Sequence, residues 1–156
     1  MLDWLKSLFG VPTPAGPQEL LRRFGTEQPL LTTSGIRVES GAWRIDPPAA
    51  QTVRLFEVDQ PGVEQCMLAC RAELRAEGLR GRAYLEMWCR VAGMGEFFSK
   101  GFHQAVSGTV DWARCEIPFL LRKGQRPDLL KLNIVVEGTG TVWIRNVELL
   151  KTPLKG

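Results

Sequence analysis

Beyond residue 34, apolar and polar side chains alternate one for one through most of the chain, the period of a β-strand with one buried face. Residues 82–91 show it without a miss: Ala83, Leu85, Met87, Cys89 and Val91 share one side, and Tyr84, Glu86, Trp88 and Arg90 the other. Residues 65–76 are rich in Met, Leu, Ala, Arg and Glu, which favours helix. Yet Cys66, Leu68, Cys70, Ala72 and Leu74 alternate cleanly with Met67, Ala69, Arg71, Glu73 and Arg75, and the alternation decides for strand. Residues 112–119 set Ala113, Cys115 and Ile117 against Trp112, Arg114 and Glu116, and residues 129–137 set Leu130, Leu132, Ile134 and Val136 against Lys131, Asn133 and Val135. Shorter strands are expected at 36–39, 42–45 and 52–58, divided by Gly41, Pro47-Pro48 and Pro61-Gly62.

Turn chemistry then suggests how these segments connect. Glu77-Gly78 and Arg80-Gly81 read as turns, and Gly138-Thr139-Gly140-Thr141 reads as a hairpin joining 129–137 to 141–150. Residues 93–108, rich in Gly and Phe, read as a long connection. The prediction is an all-β fold, an antiparallel β-sandwich or jelly roll over residues 34–152. Leu85, Met87, Cys89, Cys115, Ile117, Leu132, Ile134 and Val136 are its expected core.

The first 33 residues read differently. Leu2, Leu5, Leu8 and Phe9, with Trp4 beside them, recur at helical spacing; Gly10 and Pro12 end the pattern. Residues 11–17 hold three prolines and form a semi-rigid spacer. Pro17 suits the start of a second short helix over 18–24, stopped by Gly25. Residues 1–33 thus form an extension, and 153–156 a tail. A helix shorter than about 12 residues is marginal alone in water. Leu2, Trp4, Leu5, Leu8 and Phe9 therefore define a docking helix, received by a protein partner, a second copy, a lipid surface or its own domain. With Lys6 opposed by Asp3, electrostatic attraction to lipid is absent and protein docking is the better version, through residues 1–24.

At 156 residues and 44% hydrophobic content, the chain is one domain with a real core. Its net charge of +3 is spread over scattered Lys and Arg, which excludes the clustered footprint of a nucleic-acid binder. Cys66 and Cys70 would lie about 13 Å apart on one strand face, too far for a disulfide. All four cysteines fall on apolar faces and read as buried thiols, which together with the lack of a signal-peptide pattern points to the cytoplasm.

Three segments together, Ala83-Tyr-Leu-Glu-Met-Trp88, Ser107-Gly-Thr-Val-Asp-Trp112 and Gly138-Thr-Gly-Thr-Val-Trp-Ile-Arg-Asn-Val-Glu-Leu149, resemble the jelly-roll modules of the galactose-binding-like and carbohydrate-binding-module superfamily. The resemblance covers about residues 34–150. It implies the fold, with sugar binding, protein binding and structural roles all open. Many such modules place a calcium-ligating acid in the last strand; Arg145 and Asn146 stand there instead, so no structural calcium and no other cofactor or metal is expected.

The candidate ligand-binding residues are the polar and aromatic members of two strands: Tyr84, Glu86, Trp88 and Arg90, then Trp112, Arg114 and Glu116. Rings take the CH faces of a sugar, and Arg and Glu its hydroxyls. The bland alternative is a solvated sheet face with cross-strand ion pairs. No catalytic residues are expected. Glu86 and Glu116 are the only glycosidase pair worth considering, and an Arg on each one's face would depress the carboxyl that has to donate a proton. His103 stands alone, and no nucleophile elbow or phosphate loop is present. The leading expectation is a non-catalytic binding module for carbohydrate or protein; the alternative is an assembly protein without a small ligand.

Overall fold

The computed structural model describes residues 13–155. The helix expected over residues 1–10, with its docking residues, lies outside them. Eight strands follow in order: β1 (Glu19–Phe24), β2 (Ile36–Glu39), β3 (Ala42–Ile45), β4 (Gln51–Asp59), β5 (Cys66–Val91), β6 (Gly95–Lys100), β7 (Val106–Leu121) and β8 (Pro127–Pro153), with a 3₁₀ turn at Phe102–Gln104. All pair antiparallel.

β5 and β8 are 26 and 27 residues long and pair with each other from Cys66↔Pro153 to Val91↔Pro127. At ~3.3 Å per residue a straight strand of that length would run about 85 Å, whereas a globular chain of this size has a radius of gyration of about 15 Å. The pair has to bend. It does so where Gly81 and Gly138 stand directly opposite, with φ of +111° and +132°. A Cβ on Gly81 would lie 1.6 Å from the Glu137 carbonyl oxygen, and one on Gly138 would lie 1.6 Å from that of Arg80. Only glycine lets the two backbones approach so closely.

The bend folds one hydrogen-bonded sheet into two layers. In the first, β4, residues 127–137 of β8, residues 83–91 of β5, and β6 lie side by side. In the second, β8 from 141 onward is flanked on one side by β3 and β1, with β2 beyond β3, and on the other by residues 66–77 of β5 and then β7. Between the layers one apolar cluster takes Val53, Leu55, Leu85, Met87, Leu132, Ile134 and Val136 from the first, and Leu68, Cys70, Leu74, Ile117, Ile144 and Leu149 from the second. Every expected core residue is buried, none more than 3% exposed.

The same geometry corrects several expectations. Gly138–Thr141 is no hairpin: β8 bends there but continues without reversing, and each half pairs with β5 instead of with the other half. Residues 77–81 likewise carry β5 onward, with a register slip between Glu77 and Arg80. The connection at 93–108 contains β6, which pairs with β5 from Glu86↔Lys100 to Val91↔Gly95. Residues 18–24 are not helical. β1 pairs with β8 from Glu19↔Lys151 to Phe24↔Val147, and Phe24 is buried with its ring stacked on Phe56 at 4.2 Å. Seven residues gain little as an isolated helix, whereas a free sheet edge and an apolar slot reward the extended form. From Thr13 on, the expected spacer is also tied to the expected tail: Ala15 donates to the Pro153 carbonyl at 2.7 Å and Lys155 to that of Thr13 at 2.8 Å.

All four cysteines are buried free thiols. Desolvation pushes Cys70 and Cys89 up to about 12, and Cys66 and Cys115 up to about 11. A thiol-specific reagent at mildly alkaline pH should therefore titrate four thiols at once in denaturant and react far more slowly with native protein; rapid native labelling would contradict the packing. Leu132→Ala removes a fully buried side chain and should cost about 2–5 kcal/mol in denaturant titration. Gly138→Ala should destabilise at least as much, because a smaller added group meets a carbonyl that cannot retreat; a wild-type midpoint would contradict the bend.

Candidate functional site

The seven residues singled out as ligand-binding fall into two sets, because their strands belong to different layers. Tyr84, Glu86, Trp88 and Arg90 occupy the outward face of the first layer; Trp112, Arg114 and Glu116 occupy that of the second. Glu86 and Glu116 therefore face away from each other across the sandwich and cannot flank one glycosidic bond.

In the first set most groups are already satisfied. Tyr84 is buried, packs on Phe102 at 4.8 Å and donates its hydroxyl to Glu137 Oε2 at 3.1 Å. Glu86 is buried, accepting from Asn133 Nδ2 at 2.9 Å with Lys100 Nζ at 3.6 Å. Trp88 is half-buried against Phe98 at 5.0 Å, and Arg90 bonds Asp128 at 2.8 Å.

The second set joins a larger constellation, written across the strands in rows. Register aligns Arg23 of β1 with Glu148 of β8, Glu148 with Arg71 of β5, and Arg71 with Glu116 of β7. The signs alternate along the row. Arg23 and Arg71 each donate two bonds to Glu148, the shorter of each pair at 2.8 Å, and Arg71 approaches Glu116 at 3.6 Å. The next row reads Arg145, Glu73, Arg114. Asn146, with φ of +55°, sits at a bulge where the β5–β8 register slips between Arg71 and Glu73. The bulge presents both Arg145 and Asn146 to Glu73 Oε1, with Arg145 at 2.9 Å. A third row aligns Arg44 of β3, Trp143 of β8 and Arg75 of β5. Trp143 lies between the two guanidiniums, at 5.4 and 4.6 Å from its ring, and donates Nε1–H to Glu39 at 2.8 Å. Arg145 covers one face of Trp112 at 3.9 Å.

Two adjoining depressions run over these rows. One, of about 450 Å³, is lined by Arg23, Arg71, Glu73, Arg114, Asn146 and Glu148. The other, of about 330 Å³, is lined by Glu39, Arg44, Arg75, Trp112, Trp143 and Arg145. Arg145, lining the second, bonds Glu73, lining the first, so the two depressions adjoin across that ion pair on the outward face of the second layer and are called the groove. Its carboxylates are held ionised. The bond from Arg145 holds Glu73 below the usual carboxylate range, and the bond from Trp143 does the same for Glu39. Burial pushes Glu148 up, but the bonds from Arg71 and Arg23 outweigh it and leave it lowered.

The alternation in 65–76 had already set Arg71, Glu73 and Arg75 outward, yet nothing local showed that 112–116 and 143–148 lie beside them. Arg23 and Arg44 carried no signal of their own, because their place depends on pairing with β8; Trp143 and Glu148 lie in the 138–149 segment that carries the resemblance, but what they face depends on the strands that pair with β8.

No family model matches the sequence, and no curated protein does. Solved structures do. The xylan-binding CBM22-1 domain of Paenibacillus barcinonensis Xyn10C superposes with a TM-score of 0.58 at 8% identity, over 90% of this chain and 99% of that one. A family 4 carbohydrate-binding module, CBM4, superposes at 0.54 and 12% identity, over 76% of each chain. The CBM22-1–GH10 modules of Clostridium thermocellum Xyn10B, in complex with xylohexaose, superpose at 0.53 and 11% identity, over 89% of this chain but 26% of that one. The chain has the jelly-roll fold of these carbohydrate-binding modules.

Proposed function

We propose that this chain is a non-catalytic carbohydrate-binding module whose ligand lies in the groove over the second layer. The observation that carries the reading is the groove itself: an open trough with a half-exposed Trp112 ring and side chains anchored by cross-strand bonds, on a fold shared with xylan-binding modules. A sugar chain lying on a sheet face needs ring surface for its CH groups and fixed hydrogen-bonding groups for its hydroxyls. Catalysis has no support in the same groove, because each lowered carboxylate is held as an anion by Arg or Trp donors and makes a poor proton donor.

Affinity electrophoresis and calorimetry against a panel of plant and bacterial polysaccharides test the reading. Trp112→Ala should weaken binding about 5–30-fold, the loss of one aromatic platform, with an unchanged melting temperature. Trp88→Ala, on the opposite outward face, should leave binding unchanged. The reverse result would move the ligand to the Tyr84–Trp88 face, whose neighbours Phe98 and Phe102 are exposed.

The groove also has an acid signature. Glu148 is lowered from its ordinary 4.5, so its contribution is complete above that pH and is lost as pH falls through the native value. Glu148→Gln should lower stability at neutral pH by leaving Arg71 and Arg23 without their carboxylate, and flatten the fall in stability below about pH 4.5. An unchanged acid limb in a melting series would show that Glu148 is uncoupled from folding.

A further inference from the structure

Resting on the reading of the groove as a sugar site, we infer that its ligand is an acidic oligosaccharide, carrying carboxylate or sulfate groups. The lining of the two depressions holds six arginines, Arg23, Arg44, Arg71, Arg75, Arg114 and Arg145, against three glutamates, Glu39, Glu73 and Glu148. That excess equals the +3 carried by the whole chain and falls to +1 with the rim acids Glu116 and Asp46; arginines scattered along the sequence are gathered on one face by strand pairing, against the expectation that they form no cluster.

The hydrogen-bonding inventory points the same way. Every carboxylate in the lining is already occupied: Glu148 by Arg23 and Arg71, Glu73 by Arg145 and Asn146, Glu39 by Trp143 and Arg44. Glu116 and Asp46, at the rim, are engaged by Arg71 and Arg44. Two guanidiniums are left over. Among the described residues, Arg75 and Arg114 have no carboxylate within 4 Å. Arg114 stands across from Glu73, which Arg145 already holds, and Arg75 lies over Trp143. They sit on neighbouring strands, one facing each depression. Because guanidinium only donates, Arg75 and Arg114 give the groove surplus charged donors; the acceptors left in its lining are Glu73 Oε2, Asn146 Oδ1 and the Ser40 hydroxyl.

The aromatic surface is partly taken as well. Trp143 is covered by Arg44 and Arg75, and one face of Trp112 by Arg145. A neutral sugar has only the uncovered face of Trp112 to stack on, whereas an acidic one can also bond the guanidinium edges while the stacks stay in place. The planar fork of arginine matches carboxylate and sulfate oxygens two at a time.

Calorimetry on the full chain compares oligogalacturonate, dextran sulfate and neutral xylohexaose. At least one acidic ligand should bind about tenfold or more tighter than xylohexaose and weaken with added salt; the stronger of the two identifies carboxylate or sulfate as the group read. The double variant R75Q/R114Q should lose about tenfold in that affinity and none for xylohexaose, with the same melting temperature as the parent, since neither residue holds an ion pair. R80Q/R122Q removes equal charge outside the groove and should bind as the parent does. Xylohexaose binding equal to or tighter than both acidic ligands would overturn the acidic assignment and keep the sugar site. Binding of none of the three, or of any wider panel member, would overturn both. A DNA oligonucleotide bound as tightly, and lost in the same variant, would overturn the sugar assignment in favour of a general polyanion surface.

Discussion

The fold depends on one close approach: the backbones of β5 and β8 meeting at Gly81 and Gly138 with no side chain between them. Both strands are far too long for the domain, so they have to bend together. Had either strand broken there, each layer would need its own central pair and its own closing loops. Because neither breaks, the same two strands form the centre of both layers, and a single ladder fixes the register of one half relative to the other. The core follows from this. Rows that alternate inward on the first layer meet rows that alternate inward on the second, with Leu132, Ile134, Leu74 and Ile144 among those sealed completely.

The bend also sorts the polar residues. Side chains that face outward before the bend and those that face outward after it look away from one another, so one strand serves two surfaces. β5 supplies Arg71, Glu73 and Arg75 to the groove and Tyr84, Glu86 and Trp88 to the opposite side. The second adjustment, the bulge at Asn146, acts on the groove alone. It shifts the inward row of β8 from Ile144 to Val147 and leaves two adjacent residues, Arg145 and Asn146, on Glu73.

Alternation was legible because its period is local: Ala83 to Val91 declares a strand without reference to anything else, and the core list drawn from such segments is buried throughout. Pairing was not legible. Gly138-Thr-Gly-Thr141 has the chemistry of a hairpin, and what makes it a bend is Gly81, distant in sequence and opposite in space. Trp88 and Trp112 both alternate outward, which says nothing about which layer either strand joins. β1 shows the same limit from the other side. Leu20, Leu21 and Phe24 fit a short helix locally, and only the free edge of β8 and the slot beside Phe56 draw them into a strand.

What the alternating signs achieve in the groove is order more than stability. Exposed ion pairs contribute roughly 0–1 kcal/mol each, and Arg23 and Arg145 are too open to solvent to exceed that. Without the acids, however, six arginines on adjacent strands would repel one another and sample many rotamers, and cross-strand like charges are themselves destabilising. Each glutamate holds one or two guanidiniums in place, and the tryptophans hold others flat. The side-chain entropy of the paired residues is thus surrendered on folding, which would lower the ordering cost of any ligand the groove took. The checkerboard that reads as mere surface pairing is also what holds five of the six long side chains in place, Arg23, Arg44, Arg71 and Arg145 by carboxylates and Arg75 over Trp143.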